Sequence, residues 1–200
     1  MRRTKEDAEK TRLRVIEAAL VMFSRHGYSG TTLAMIAQEA GYSRGPIYWH
    51  FRNKDDLYQA VLEYSQLPLE ALLLEAQAAQ DPIEGILDFS SRWLRLLLED
   101  GWFRQSFEIL LNKTELTEAL TPTLERERQL TCQILDTLTA LLERAAQLQM
   151  VDERSPRQLA LLVYTQLMGI TQSWLFAPGL FDLGSEHSFF LDNLRRLLQK

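Results

Sequence analysis

Cysteine is almost missing from this chain: Cys132 is the only one among 200 residues. No internal disulfide can form. That fits a reducing cytosol, and a lone thiol is expected to act as a small buried hydrophobe. Histidine is scarce too. His26, His50 and His187 share no ligand spacing and have no cysteine cluster beside them, so neither a metal nor another cofactor is expected. A glycine-rich phosphate loop, a GxSxG elbow and an HExxH pair are all missing, which argues against an enzyme. No uninterrupted apolar run approaches the length that spans a bilayer. The start, MRRTKEDAEK, is basic but lacks the apolar core of a signal peptide, so a cytoplasmic protein with no membrane partner is expected.

What is present is apolar content of 46%, enough for one or two sizeable cores. The net charge of −5 is unevenly divided. Residues 1–54 hold ten Lys/Arg against five Asp/Glu (+5), and residues 55–200 hold twelve against twenty-two (−10). A small basic head on a large acidic body suggests that only the head meets phosphate.

The basic head contains the stretch that organises the rest, TLAMIAQEAGYSRGPIYWHF, from Thr32 to Phe51. Leu33, Ile36, Ala37 and Ala40 recur at helical spacing. Thr31 and Thr32 can cap that helix, and Gly41 follows it where a left-handed residue is needed. Ser43 can cap a second helix whose first turn holds Pro46, where a missing N–H breaks no helical bond. Ile47 and Phe51 face the first helix, and small Ala37 and Ala40 let the two cross closely, as a helix-turn-helix requires. Arg44, Gly45, Tyr48, Trp49 and His50 remain on or near the free face. Such an element either presents that face to a major groove or is an ordinary helical hairpin with surface aromatics.

Around it, residues 5–27 are expected to form a first helix with a stripe of Leu13, Ile16, Ala19/Leu20 and Phe23, closed by His26-Gly27. An arm with Arg2, Arg3 and Lys5 precedes it; such arms either reach a minor groove or phosphates, or make no contact. Asn53-Lys54-Asp55-Asp56 opens a fourth helix. Pro68 predicts a kink there, a place where body movement becomes head movement, or a plain end with a new helix from Leu69 to Gln80. Asp81-Pro82 caps and opens the next helix, with Ile86, Phe89, Ser90 and Trp93 on one face. In the segment after it, Glu108 and Asn112 are either surface residues or the polar anchors of an apolar pocket. A long amphipathic helix covers Pro122 to Gln149, followed by a turn at residues 151–154. The helix from Ser155-Pro156 to Phe176 is apolar nearly all round, and the last runs from His187 to Gln199. Two such C-terminal helices suit a four-helix homodimer interface.

The run from Thr32 to Leu57 reads TxxxIAxxAGxSxGxIYxHFxxKxxL, which resembles the DNA-binding signature of the TetR family of transcriptional regulators; Pro46 is the one departure. The resemblance implies an all-α fold of about nine helices: a three-helix helix-turn-helix DNA-binding domain over 1–54 and a ligand-binding and dimerisation domain over 55–200. It implies that Thr32, Tyr48, His50 and Lys54 hold phosphates of double-stranded operator DNA, with Ser43 at the same surface and Arg44, Gly45 and Trp49 nearest the bases. In the body, EILLNKTEL (Glu108–Leu116) and SWLFAPGLFDL (Ser173–Leu183) resemble AcrR-type repressors of multidrug efflux pumps, as does the opening RRTKEDAEKTR. That likeness implies a repressor released by a hydrophobic or aromatic small-molecule inducer. Its pocket wall would include Ile86, Phe89, Ser90, Trp93, Glu108, Leu111, Asn112, Tyr164, Leu167, Met168 and Gln172, though each apolar member has core packing as its ordinary alternative. The other reading of the body is a regulator with no small-molecule inducer, whose C-terminal part only dimerises or binds a protein.

Overall fold

The computed structural model of the chain describes residues 5–115, 117–151 and 155–199. Arg2 and Arg3 of the arm, Leu116 and the turn residues 152–154 lie outside them. Among the described residues there are nine α-helices, one short 3-10 turn (Glu118–Leu120) and no strand. The helices are α1 (Lys5–Gly30), α2 (Leu33–Glu39), α3 (Arg44–His50), α4 (Lys54–Ala78), α5 (Pro82–Glu99), α6 (Gly101–Asn112), α7 (Thr121–Gln147), α8 (Pro156–Phe176) and α9 (Leu183–Leu198). They form two compact units. The first is Met1–Gln66 with Trp102–Leu124; the second is Leu67–Gly101 with Glu125–Lys200.

The first unit is built on the inner face of α1. Val15, Ile16, Ala19 and Phe23 are buried with Ile36 and Ala37 of α2, Ile47 of α3 and Leu57, Tyr58 and Val61 of α4. Leu13, expected on the stripe, is only half-buried. Burying each large aliphatic side chain contributes roughly 1.5–3 kcal/mol, which holds α2 and α3, of seven residues each and too short to persist alone. α1 bends at Gly27, whose φ of 70° lies in the left-handed region. The bend is docked on the end of α6. The Tyr28 amide donates to the Lys113 carbonyl at 3.0 Å, and Lys113 Nζ donates to the Ser24 carbonyl at 2.6 Å.

Thr32 caps α2 as expected, accepting from the Met35 amide at 3.3 Å. Thr31 does not cap it. Its hydroxyl is buried and donates back to the carbonyls of Gly27 (2.7 Å) and Met22 (3.1 Å). Ser43 stands at the start of α3 but its side chain makes no capping bond.

The second unit packs α5 against α8 and α9. Asp81 caps α5, accepting from the Ile83 and Glu84 amides at 2.8 and 3.0 Å, with Pro82 at the first position. Of the two readings at Pro68, the plain helix end with a new helix from Leu69 is absent: α4 is one helix from Lys54 to Ala78. Proline forfeits one helical bond, but Leu69, Leu72, Leu73 and Ala76 beyond it continue a buried face, and their burial outweighs that loss. Cys132 is exposed on α7 rather than buried, because Leu130, Ile134 and Leu138 occupy the inner stripe.

The last two helices also differ from the periodic reading. α9 begins earlier, at Leu183, because Asp182 caps it by accepting from the Gly184 and Ser185 amides. α8 buries Leu159, Val163, Leu167 and Ile170, while Leu161, Leu162 and Phe176 are exposed and the space beside Gly169 is open. By length and composition its 21 residues reach what a bilayer-crossing helix needs, which corrects the expectation that no segment comes near; its buried side chains belong to the core of this unit.

Candidate nucleic-acid interface

The free surface of the helix-turn-helix is set by what its other face buries. Ile36, Ala37 and Ile47 are turned inward, and Gly41, at φ 72°, reverses the chain after α2. A residue with a Cβ would be strained there. The seven residues of α3 then expose Arg44, Gly45, Tyr48 and Trp49 on one side. Tyr48 is 58% exposed and Trp49 79%, far beyond what packing requires of aromatic side chains. Thr32 and Ser43 are exposed as well, and His50 is half-buried between the rings of Trp49 (centroids 6.4 Å apart) and Phe51 (6.3 Å). The eight residues nominated from sequence thus divide into six on open surface and two, His50 and Lys54, at its edge.

Lys54 is engaged by the protein itself. Its Nζ donates to the carbonyls of Tyr28 (2.9 Å) and Thr31 (3.1 Å) and lies 4.2 Å from the Tyr28 ring centroid. Burial lowers its pKa below the ordinary lysine value, the neighbouring Asp55 charge acting against that shift. The Tyr28 hydroxyl donates to the Asp55 carboxylate, and its own pKa is raised, first by burial and then by that hydrogen bond. Tyr28, Phe23 and Tyr58 form an aromatic cluster with centroids 5.0–5.9 Å apart, Tyr58 edge-on to the other two rings and Phe23 stacked on Tyr28. The first turn of α4 is therefore pinned to the end of α1 and the start of α2. Nothing in the signature pattern points to this use of Lys54, since a surface lysine beside a helix-turn-helix reads first as a phosphate contact.

The nominated ligand residues fall in two groups. On α5, Ile86, Phe89, Ser90 and Trp93 are buried; Ser90 donates to the Ile86 carbonyl at 2.7 Å, and Trp93 Nε1 donates to Thr171 Oγ1 of α8 at 3.0 Å. Leu167 of α8 is buried, with Tyr164, Met168 and Gln172 half-buried, and the Tyr164 hydroxyl lies 3.3 Å from Thr131 Oγ1 of α7. The structure brings these eight together in the second unit. Glu108, Leu111 and Asn112 belong to the first unit, where Glu108 pairs with Lys113 at 2.6 Å and Leu111 and Asn112 are exposed.

Two open grooves of the second unit are lined by none of the eleven. One, of about 690 Å³, lies between α4 and α7 with Glu70, Leu73, Leu74 and Asp136 among its walls. The other, of about 310 Å³, lies between α4 and α5 beside Arg92 and Arg95. Both use residues of α4, whose periodic apolar positions gave no signal beyond core packing. Among the described residues no group of three His, Cys, Asp or Glu is placed to hold a metal.

Comparison with known proteins agrees with this geometry. The family model for bacterial regulatory proteins of the tetR family matches residues 15–61, and that for the C-terminal region of MAATS-type transcriptional repressors matches residues 81–200. The chain is 32% identical over 188 residues to the HTH-type transcriptional regulator AcrR of Shigella flexneri, covering 92% of this chain and 87% of that protein. Among solved structures it is similar to NalD, the secondary repressor of the MexAB-OprM multidrug efflux pump in Pseudomonas aeruginosa, with a TM-score of 0.88, 30% identity and coverage of 98% and 99%. It is also similar to the complex of SmeT with triclosan, with a TM-score of 0.84, 28% identity and coverage of 96% and 92%; SmeT is the repressor of the Stenotrophomonas maltophilia efflux pump SmeDEF.

Proposed function

The chain belongs to the tetR family of bacterial regulatory proteins, as a DNA-binding transcriptional repressor and not an enzyme, and from that premise we propose that it controls a multidrug efflux pump and is released from its operator by a hydrophobic small molecule. The observation that supports the DNA-binding role most directly is the open face of α3, where Arg44, Tyr48 and Trp49 stand clear of a fully buried Ile47. In this reading residues 1–54 are the DNA-binding head and residues 55–200 the ligand-binding and dimerisation part. Thr32, Ser43, Tyr48 and His50 hold the phosphate backbone, and Arg44, Gly45 and Trp49 lie nearest the bases. Lys54 spends two of its three N–H donors on carbonyls and keeps one for a phosphate. Because DNA is the partner, the protein works in the cytoplasm.

Two copies pair through α8 and α9, whose exposed Leu161, Leu162, Phe176 and Phe189 are the apolar surface available for that. Their heads occupy half-sites roughly 34–36 Å apart or a multiple of it. The inducer is held by the α5 and α8 residues of the second unit. It releases DNA only by the difference in its affinity for the two states; about 2–3 kcal/mol suffices to lower operator occupancy markedly. The names of NalD and SmeT, each a repressor of an efflux pump, support the target, and SmeT with triclosan supports the inducer class.

One observation favours a second reading. Ile86, Phe89, Ser90 and Trp93 are each at most 1% exposed, which also suits a packed body that only dimerises or binds a protein. Titration of the purified protein at fixed salt onto DNA from upstream of its own gene and its neighbours, with hydrophobic cationic and phenolic compounds added, separates the two. Specific binding released by a compound supports the inducer; specific binding that no compound disturbs favours the second reading.

A further inference from the structure

Between Lys10 and Lys54 the head spends nearly all of its positive charge on itself. Lys10, Arg12, Arg25 and Arg52 each pair with a carboxylate, at 2.8, 3.6, 3.7 and 3.4 Å. The Arg14 guanidinium lies over the Tyr42 ring, and Lys54 serves two carbonyls. Of the Lys and Arg from Lys10 to Lys54, Arg44 alone has no hydrogen bond, ion pair or ring contact among the described residues, and it is exposed. A free arginine is costly to hold still, so a folded head gains nothing from it on its own account. Its neighbour Gly45 leaves open space: a Cβ there would meet only Ser43 Oγ, at 4.0 Å. The backbone beside Arg44 can therefore come close to a groove floor, and no other long cationic side chain stands on this face of α3.

Resting on the DNA-binding reading above, we propose that Arg44 is the specificity-determining residue of the head and reads one guanine in each half of the operator. The argument is the match of donors to acceptors. A guanidinium presents two parallel N–H donors, and guanine alone offers two adjacent major-groove acceptors, N7 and O6. Adenine sets a donor beside its N7, thymine offers a single O4, and cytosine offers a donor. A lysine would supply the same charge without the fork. With two copies of the head, the two guanines stand in inverted positions of the operator.

The test replaces the guanines of the bound upstream fragment one at a time by 7-deazaguanine, which removes N7 and leaves base pairing intact. Each fragment is titrated with the wild type, Arg44→Lys and Arg44→Ala, beside a non-specific duplex. One guanine per half-site is expected to cost the wild type about five- to a hundredfold in affinity. The same replacements should cost Arg44→Ala less than about twofold, because the bond they remove is already gone, and should cost Arg44→Lys less than the wild type. Arg44→Lys should keep the salt dependence of the wild type while weakening the guanine preference. Equal losses for wild type and Arg44→Ala at every replaced guanine overturn the assignment. So does an Arg44→Ala variant that weakens specific and non-specific DNA alike and lowers the salt slope by about one, which marks a phosphate contact. In both cases the wild type still prefers its operator and the repressor reading stands. A wild type with no preference for any upstream fragment removes that reading and the guanine assignment with it.

Discussion

Replacing Lys54 by methionine removes an ammonium that donates to the Tyr28 carbonyl at 2.9 Å and to the Thr31 carbonyl at 3.1 Å, while the unbranched stem can still cover the Tyr28 ring. Hydrogen bonds to a charged group contribute about 1.5–3 kcal/mol each. The ammonium over the ring adds about 0.5–1 kcal/mol at a partly exposed site. Against these stands the cost of burying the charge, the same effect that lowers the lysine pKa. Lys54 is only half-buried, so water can replace part of what is lost. The balance is a destabilisation of about 2 kcal/mol, well above the median for an exposed ion pair, which is about 0–1 kcal/mol. Urea unfolding followed by tryptophan fluorescence should show a lower midpoint with an unchanged slope. An unfolding free energy within about 0.5 kcal/mol of the wild type would refute the reasoning, whatever happens to DNA affinity. It would mean that the two carbonyls do not depend on this donor.

Gly85 sits mid-turn in α5, where alanine ordinarily gains up to about 1 kcal/mol, but a Cβ there would lie 2.7 Å from Ala79 Cβ and 3.4 Å from the Ala76 carbonyl. Gly85→Ala should therefore destabilise by about 1–2 kcal/mol, and adding Ala79→Gly should recover much of it in the same unfolding assay. The Asp56 carboxylate accepts from the Arg52 amide at 3.0 Å, and chiefly that bond holds its pKa below the ordinary value. Its contribution is present above about pH 4 and lost as pH falls through the lower folded-state value, so Asp56→Asn should flatten the acid limb of the stability curve and leave its neutral region nearly flat. Glu108→Gln breaks a partly exposed pair with Lys113 and should cost less than about 1 kcal/mol in the same unfolding assay; a loss of about 2 kcal/mol or more would mean the pair anchors the end of α6.

The sequence by itself determined the helix-turn-helix and most helix limits. These rest on local rules: the 3.6-residue spacing of Ile36, Ala37 and Ala40, the cap at Thr32, the left-handed Gly41, and Asp81-Pro82 at the start of α5. Where two caps competed, or where a residue's partners lay far along the chain, tertiary structure decided. It turned Thr31 inward to Gly27, carried α4 through Pro68, and left Cys132 outside because the buried stripe of α7 runs through Leu130 and Ile134, two positions to either side of it. It also took Lys54 from the open surface into a corner between α1 and α2, and set Lys113, 89 residues away, on the Ser24 carbonyl. Periodicity shows which face of a helix is apolar but not which other helix covers it. A long lysine can reach a phosphate or a carbonyl from the same position, and only the placement of Tyr28 and Thr31 beside it makes the carbonyls the nearer partners. Arg44 is the converse case: its residue type was legible at once, and its freedom became visible only when every neighbouring cation had been given its partner in three dimensions.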